Sequence, residues 1–305
     1  MKSIPISGLS RPVSCIGMGS AKFDPDESDQ IARLLDAYRE AGGNLIDSAE
    51  LYGDGRSEQA VGQYLHGRGA RSQWVILTKT ASNPKLVRPD YICRAVVGSL
   101  ERLQTDYIDL YVLHRDDPSV PVGELVGALC SLRDAGRIGA YGLSNWSTAR
   151  IGEAVRYARS RSLTEPSLSS PHLGLATPKE PTWEGCTHAT AEDMKWYADH
   201  DLAVFGWSSQ CRGFFAKKSG PQQTSIPDLV RVYHSADNFE KLERTRKLAK
   251  SKGIEPVQVA LAWVLHQQAP TVALVGPRDV EELRVAIEAA EVELTPEEVA
   301  WLELR

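Results

Sequence analysis

No stretch of the sequence is apolar for long enough to span a bilayer, and the opening MKSIPISGLSRPVSCIGMGS lacks the unbroken apolar core of a secretory signal. Cysteine is scarce, five in 305 residues, and no CxxC pair occurs. Cys15, Cys93, Cys130, Cys186 and Cys211 are odd in number and widely scattered, which argues against a disulfide framework and suits a reducing, cytoplasmic setting. Cys186 and His188 lie two apart but have no further ligands nearby, so no metal site is expected. An excess of basic charge is also missing. The net charge is −5, and the runs Arg68–Arg71 and Arg244–Lys252 are broken by other residues, so nucleic acid is not an expected partner. Finally, no GxGxxG follows the first strand. The stretch GMGSAKF from Gly17 has two close glycines and leads into acidic residues, which speaks against a Rossmann site and a Walker loop alike.

What is present is a rhythm. With 42% hydrophobic and 25% charged residues the composition is that of an average globular chain. Short β-rich runs recur at Val13–Gly17, Asn44–Asp47, Trp74–Lys79, Tyr107–His114, Ile138–Ser144, Pro166–Ser170, Leu202–Ser208 and Thr271–Gly276. Amphipathic helical stretches lie between them, most steps being about 30 residues, the size of one βαβ unit. Between the seventh and eighth strands there is room for a long loop and two helices. Ile31, Leu34, Leu35 and Tyr38 share one helical face; Ile92, Val96, Leu100 and Leu103 share another, and Val280, Leu283 and Ile287 a third. Pro89–Asp90 opens a helix, while Gly42–Gly43 and Gly136 close two others. The expected fold is therefore a single-domain α/β (β/α)₈ TIM barrel over residues 1–305, with a doubly wound open sheet as the alternative. Trp263 and Leu265 read as core of a buried helix ending at His266, Trp301 as packing for the C-terminal turn, and Cys211 as a small inert side chain.

In such a barrel the chemistry sits at the C-terminal ends of the strands. Those ends carry Asp47, Lys79, His114, Ser144 with Asn145, and Trp207. Any one of them alone would read as a structural or capping group. Converging on one mouth, they are hard to explain as stability devices, because a buried charge costs several kcal/mol unless paired. Asp47 and Lys79 are expected at one level on adjacent strands, close enough for a salt bridge. A lysine ammonium beside a phenol favours the phenolate, which gives Tyr52, five residues beyond Asp47, a use as a general acid and base. His114 can orient the same oxygen. A Schiff-base aldolase using Lys79 is the alternative from another enzyme class, but it needs a neutral amine, and Asp47 favours the charged one.

The segments GGNLIDSAELYGDGRSEQAVG, ILTKT, DLYVLHRDD and GLSNW occur in this order and together resemble the aldo-keto reductases over nearly the whole chain. The resemblance implies a (β/α)₈ barrel that transfers hydride between a nicotinamide cofactor and a carbonyl or alcohol. It implies Tyr52 as acid and base, with Asp47, Lys79 and His114 as its catalytic partners. For the cofactor it implies Gly19, Ser20, Asp47, Ser144, Asn145 and Ser170, with Trp207 stacked on the nicotinamide ring. Ser208, Ser209, Gln210 and Arg212 would line the pyrophosphate, and Gly276, Arg278 and Glu282 the adenosine end. NADP(H) is favoured, with NAD(H) as the alternative. A non-catalytic, cofactor-binding regulatory subunit is a second alternative that the family accommodates.

The sequence departs from the family pattern at several places. Ser170 stands where a strand-six glutamine is usual, and Leu173 where an aromatic is usual. Asp279, Glu282 and Ala286 stand where Ser or Thr, Gln or Arg, and Asn are common. The loops after strands one, four, six and seven nominate Phe23, Arg115, Asp116, His172, Trp183 and Phe214, with Tyr52 and His114, as the substrate pocket. That mixture of charge and aromatic surface fits a polar, sugar-like carbonyl.

Overall fold

In a computed structural model describing residues 1–216 and 220–305, the chain starts with a two-stranded antiparallel hairpin, β1 (Ser3–Ile4) and β2 (Val13–Ser14). Eight parallel strands follow: β3 (Ile16–Gly19), β4 (Leu45–Asp47), β5 (Val75–Thr80), β6 (Ile108–Leu113), β7 (Ile138–Ser144), β8 (Leu168–Ser170), β9 (Ala203–Gly206) and β10 (Thr271–Val275). They pair in chain order, and β10 returns to β3, so the sheet closes into a barrel without edges.

Helices fill the steps between strands. Pro89 opens Pro89–Leu103 at its first position, where the missing N–H costs nothing, and Ile92, Val96, Leu100 and Leu103 are buried as their spacing predicts. The face made by Ile31, Leu34, Leu35 and Tyr38 is buried in the same way. Three expectations need correction. The run Val13–Gly17 is not one strand: Val13 and Ser14 pair with the hairpin, and the barrel strand starts at Ile16. Between β9 and β10 the described residues form three α-helices rather than two, Pro227–Tyr233, Ala236–Lys252 and Pro256–Leu265, with His234 and Ser235 separating the first two. In the last long helix Val280 is exposed and Ala286 takes its place with Leu283 in the buried face, since Val280 is the first residue beyond the Asp279 cap.

Two apolar layers result. One lies between the sheet and the helices. The other fills the barrel with inward residues such as Leu45, Leu77, Val112, Phe205 and Leu274, and the hairpin adds Ile6 and Val13 to it from below. The interior is crowded at that level. A β-carbon on Gly17 would stand 2.7 Å from Leu274 Cδ2 and 2.9 Å from Leu45 Cδ2, so only glycine fits. Among the described residues no helix is long and apolar enough to cross a membrane.

Candidate active site

The strand register sets the site. Asp47 pairs with Leu77, so Lys79 stands two residues further along β5, on the same inward face, rather than at the same level as expected. The stagger of a closed barrel produces that offset, and the long lysine stem spans it. Lys79 Nζ forms a salt bridge to Asp47 Oδ1 and also donates to the Ser48 carbonyl at 3.1 Å and to Tyr52 Oη at 3.2 Å. Burial alone would neutralise the ammonium, but the Asp47 carboxylate and the Tyr52 oxygen outweigh it and raise the Lys79 pKa. Tyr52 is half-buried, on the loop between β4 and the helix Arg56–Arg68.

Burial pushes the Tyr52 phenol above its ordinary value, and the Lys79 charge pulls it back only in part. The expected lowering by Lys79 is therefore real in sign but outweighed by desolvation. His114, one residue past β6, meets the Tyr52 ring edge-on with centroids 6.0 Å apart. Burial, with Lys79 and then Arg115 adding positive charge nearby, holds its pKa well below the usual imidazole value, so the ring is neutral. Its Nδ1 is buried and without a partner among the described residues.

The residues nominated for cofactor contact fall into three groups. Ser144 ends β7 and Asn145 follows it. Ser144 Oγ donates to the Ser170 carbonyl at 2.7 Å, and Asn145 Nδ2 to the His114 carbonyl at 3.1 Å and Ser144 Oγ at 2.9 Å. Trp207, half-buried just past β9, leads into a loop in which Ser208, Cys211 and Arg212 all have positive φ. Ser209 is buried, with Oγ donating to the Gly206 carbonyl at 2.7 Å, while Gln210 is half-buried and Arg212 pairs with Asp228 at 3.2 Å. Gly19 ends β3 and Gly276 follows the neighbouring β10, and the Ser20 hydroxyl meets Ser57 Oγ at 2.6 Å. Arg278 is exposed and gripped by Glu282, whose Oε1 accepts from Arg278 Nε at 2.8 Å.

The pocket nominations divide. Arg115 is buried next to His114, and Asp116 pairs with Arg150 at 3.4 Å. Trp183 is exposed, its ring 5.7 Å from that of Trp207. Phe23 is buried in the apolar layer outside the barrel, and Phe214 in an aromatic group with Phe215, Tyr233 and Phe239, so neither joins the assembled set. His172 is buried edge-on to Trp207 at 4.9 Å. It bonds His188 through the two Nδ1 atoms at 2.9 Å and Tyr233 Oη through Nε2 at 2.7 Å. Burial, with His188 adding to it, pushes the His172 pKa down to about 3, and burial, with the Lys241 charge adding to it, pushes that of His188 down to about 4. His188, Tyr233 and Thr187 were not foreseen as site residues. Thr187 donates its backbone N–H to Asn145 Oδ1 at 3.2 Å and buries a hydroxyl that has no partner among the described residues. Their only sequence signal is a second histidine two residues after Cys186.

A buried Lys–Asp pair under a phenol, at the C-terminal mouth of an eight-stranded barrel, is joined by a match to the model of the aldo/keto reductase family over residues 15–303. The chain belongs to the aldo/keto reductase family. An aldo-keto reductase from Strobilurus tenacellus is 32% identical, over 94% of this chain and 87% of its own length. A probable voltage-gated potassium channel subunit beta from Oryza sativa subsp. japonica is 29% identical over 88% of this chain and 85% of that protein. Among solved structures, the glycerol dehydrogenase from Gluconobacter oxydans superposes with a TM-score of 0.82 at 26% identity, over 99% of this chain and 94% of that one. An aldo/keto reductase from Klebsiella pneumoniae in complex with NADP and acetate gives 0.77 at 26% identity, over 99% and 94%.

In this aldo/keto reductase the departures from the family pattern have local causes. Ser170 spends its hydroxyl on the Phe205 carbonyl at 2.8 Å, so the short side chain braces two strands. Leu173 is fully buried, its backbone N–H donating to the Trp207 carbonyl at 3.2 Å, and Gly206 leaves room for its side chain. Cys211 is buried and its thiol is pushed up to about 12 by desolvation, which makes it inert.

Proposed function

We propose that the protein is an NAD(P)H-dependent reductase of an aldehyde, ketone or sugar-like carbonyl, or runs the reverse oxidation of the alcohol, with Tyr52 as the general acid and base. The observation that carries this reading is the Tyr52 hydroxyl 3.2 Å from an ammonium locked by Asp47, beside a neutral imidazole. Proton donation needs a phenol that is protonated at rest and whose phenolate is stabilised once the proton leaves. Burial keeps Tyr52 protonated, and the fixed Lys79 charge stabilises its conjugate base without reorganisation. Asp47 holds the ammonium in place and keeps it charged. Neutral His114 offers a ring nitrogen to orient the carbonyl oxygen while Tyr52 delivers the proton to it.

The mouth fits a nicotinamide cofactor. Trp207 presents a half-buried ring at the strand ends, with an indole N–H that has no partner among the described residues. Trp207 would face the nicotinamide, Ser144, Asn145 and Ser170 its carboxamide, Ser208 to Arg212 the pyrophosphate, and Arg278 the adenosine phosphate. When bound, the cofactor supplies the hydride that the carbonyl carbon receives. The Klebsiella pneumoniae relative described in complex with NADP supports NADP(H) over NAD(H). The fork of Arg278 suits a phosphate, and Glu282 competes for it.

The relative named as a channel subunit supports a second reading, a cofactor-binding regulatory subunit. The intact Asp47, Tyr52, Lys79 and His114 favour catalysis. An aldolase through Lys79 is disfavoured, because its amine is held charged. A turnover screen of aldehydes, ketones and sugars with both reduced cofactors tests the proposal. Turnover that tracks loss of NADPH absorbance supports it; tight cofactor binding without turnover of any carbonyl would point to the regulator.

A further inference from the structure

Arg115 is 8% exposed, so its guanidinium is largely desolvated. Its place is fixed. Its Nη1 donates to the His114 carbonyl at 2.9 Å, and its own carbonyl accepts from Trp146 Nε1 at 3.1 Å. Asn145 Nδ2 donates to the same His114 oxygen at 3.1 Å, so the guanidinium and that amide meet at one atom. The loop that carries Trp183 lies against its stem: a β-carbon on Gly185 would stand 3.3 Å from Arg115 Cδ.

What Arg115 lacks among the described residues is an anion. Asp47 is committed to Lys79, Asp116 to Arg150 and Asp117 to Arg88, and the exposed Glu184 of the Trp183 loop forms no ion pair with it. Among the described residues no carboxylate lies within ion-pair distance of Arg115. The contrast with the other part-buried arginines is informative, since Arg71 has Asp109 at 2.6 Å and Arg102 has Glu58 at 2.7 Å. An arginine kept for stability is paired in this way, because an uncompensated buried cation is costly. Lys241, whose charge reaches His188, is held by the Leu175 carbonyl and the Thr177 hydroxyl, and the groups nearest Arg115 are otherwise balanced. Lys79 and Asp47 cancel, Arg212 has Asp228, and the three imidazoles of His114, His172 and His188 are uncharged. One net positive charge remains beside His114, and it reaches the Tyr52 phenol.

We propose that Arg115 binds an oxyanion, a carboxylate or a phosphate, carried by the substrate, and makes acidic aldehydes or ketones the preferred substrates of this mouth. The inference rests on the carbonyl-reduction reading above. The guanidinium also hydrogen-bonds the Cys186 side chain; of its five N–H groups, those beyond the His114 and Cys186 contacts match either oxyanion in a two-pronged geometry, which lysine cannot reproduce.

The test is kcat/KM on matched pairs with NADPH: 4-oxobutanoate against butanal, and glyceraldehyde 3-phosphate against glyceraldehyde. The wild-type protein is expected to favour the charged member of one pair by about tenfold or more, the scale of a hydrogen bond to a charged group. The pair that shows it identifies the group. Arg115→Gln should cut that ratio about tenfold, mainly through KM, and Arg115→Lys should retain part of it. A wild-type ratio near one for both pairs, or a ratio that survives in Arg115→Gln, overturns the proposal.

A binding arm separates this outcome from failure of the reaction reading. Butanoate, inorganic phosphate and butanamide are titrated against tryptophan fluorescence in the presence of NADP⁺. If the wild-type protein reduces none of the four carbonyls, the reductase reading fails for them, and the oxyanion site is judged on binding alone. One anion preferred over butanamide, with the preference lost in Arg115→Gln, supports it; equal binding overturns it. Should the Gln variant fail to fold, the Lys variant in the same titration decides.

Discussion

The two ends of the barrel are built from the same eight strands and treat their polar groups in opposite ways. At the N-terminal end, β1 and β2 cross beneath the strands and deliver Ile6 and Val13 into the interior, with Ser14 satisfied by the Ile16 carbonyl at 2.8 Å and by Tyr38 at 2.7 Å. At the C-terminal end, His114 Nδ1, Thr187 Oγ1 and Trp207 Nε1 are buried without partners among the described residues. Asn145, Ser208, Cys211 and Arg212 are held there at positive φ. Unmet polar atoms and strained backbone each cost free energy, and a fold retains them only where surrounding packing over-determines them. The floor supplies packing, and the mouth keeps the groups that a ligand can satisfy.

The largest expected effect belongs to the mouth. Tyr52→Phe should lower kcat for carbonyl reduction by about 10²–10⁴-fold while leaving the urea midpoint unmoved. A variant that kept more than half of wild-type turnover in a chemistry-limited assay would remove Tyr52 from the reaction. The floor should show the reverse behaviour. Ile6→Ala is expected to cost about 2–5 kcal/mol of stability, as a buried large-to-small change does, with KM for cofactor and carbonyl unchanged. A KM that moved with stability would show the two ends to be coupled.

Acid should attack the mouth first. His172 has a folded-state pKa of about 3 against an ordinary value of 6.5, so below pH 6.5 the unfolded chain binds a proton that the folded one refuses. Its contribution is fully present above pH 6.5 and is lost as pH falls from there toward 3. Replacing it with Gln should flatten the stability-versus-pH curve between pH 6 and 4 by about 1.4 kcal/mol per pH unit, one proton's worth. Urea titrations at three pH values measure this, and an unchanged slope would mean that His172 is not the group responsible. The smallest effect is at the rim, where Glu282→Gln frees Arg278 from an exposed pair. NADPH should then bind about threefold tighter relative to NADH, in keeping with the modest worth of surface ion pairs. Dissociation constants for both cofactors decide it; a parallel change in the two would show that Arg278 does not face the phosphate.

Much of this division was legible in the residues, and what was missed has a common cause. Strand-end polar residues stand out against apolar runs, so Asp47, Lys79, His114 and Ser144 could be named from pattern alone. The strands Ser3–Ile4 and Val13–Ser14 could not, since two residues are too few to show a period of two. The interior need for Ile6 at the floor is set by the barrel's diameter, which no local pattern encodes. His172 and His188 meet because isolated bridges fold the loop after β8 back on itself and onto Trp207. Arg115 stands out for its place in a loop, but its lack of a counter-ion among the described residues depends on where Asp116, Asp117 and Asp47 find their own partners. Contacts and absences of contact at long separation belong to the fold.

The pairing of β10 with β3 carries a consequence for how the chain reaches this structure. Ala273 must find Ile16, and that seam joins the first barrel strand to the last. Every other barrel pair joins neighbours in the chain, the step from β9 to β10 being the longest, so they can form in succession as shorter loops close. Closing the seam requires nearly the whole chain to have been collected first, which predicts slow, non-local folding with barrel closure as a late event. Until then Ile16–Gly19 and Thr271–Val275 are bare strand edges, able to pair with another chain instead of with each other. Aggregation during refolding should therefore follow the lifetime of that open sheet.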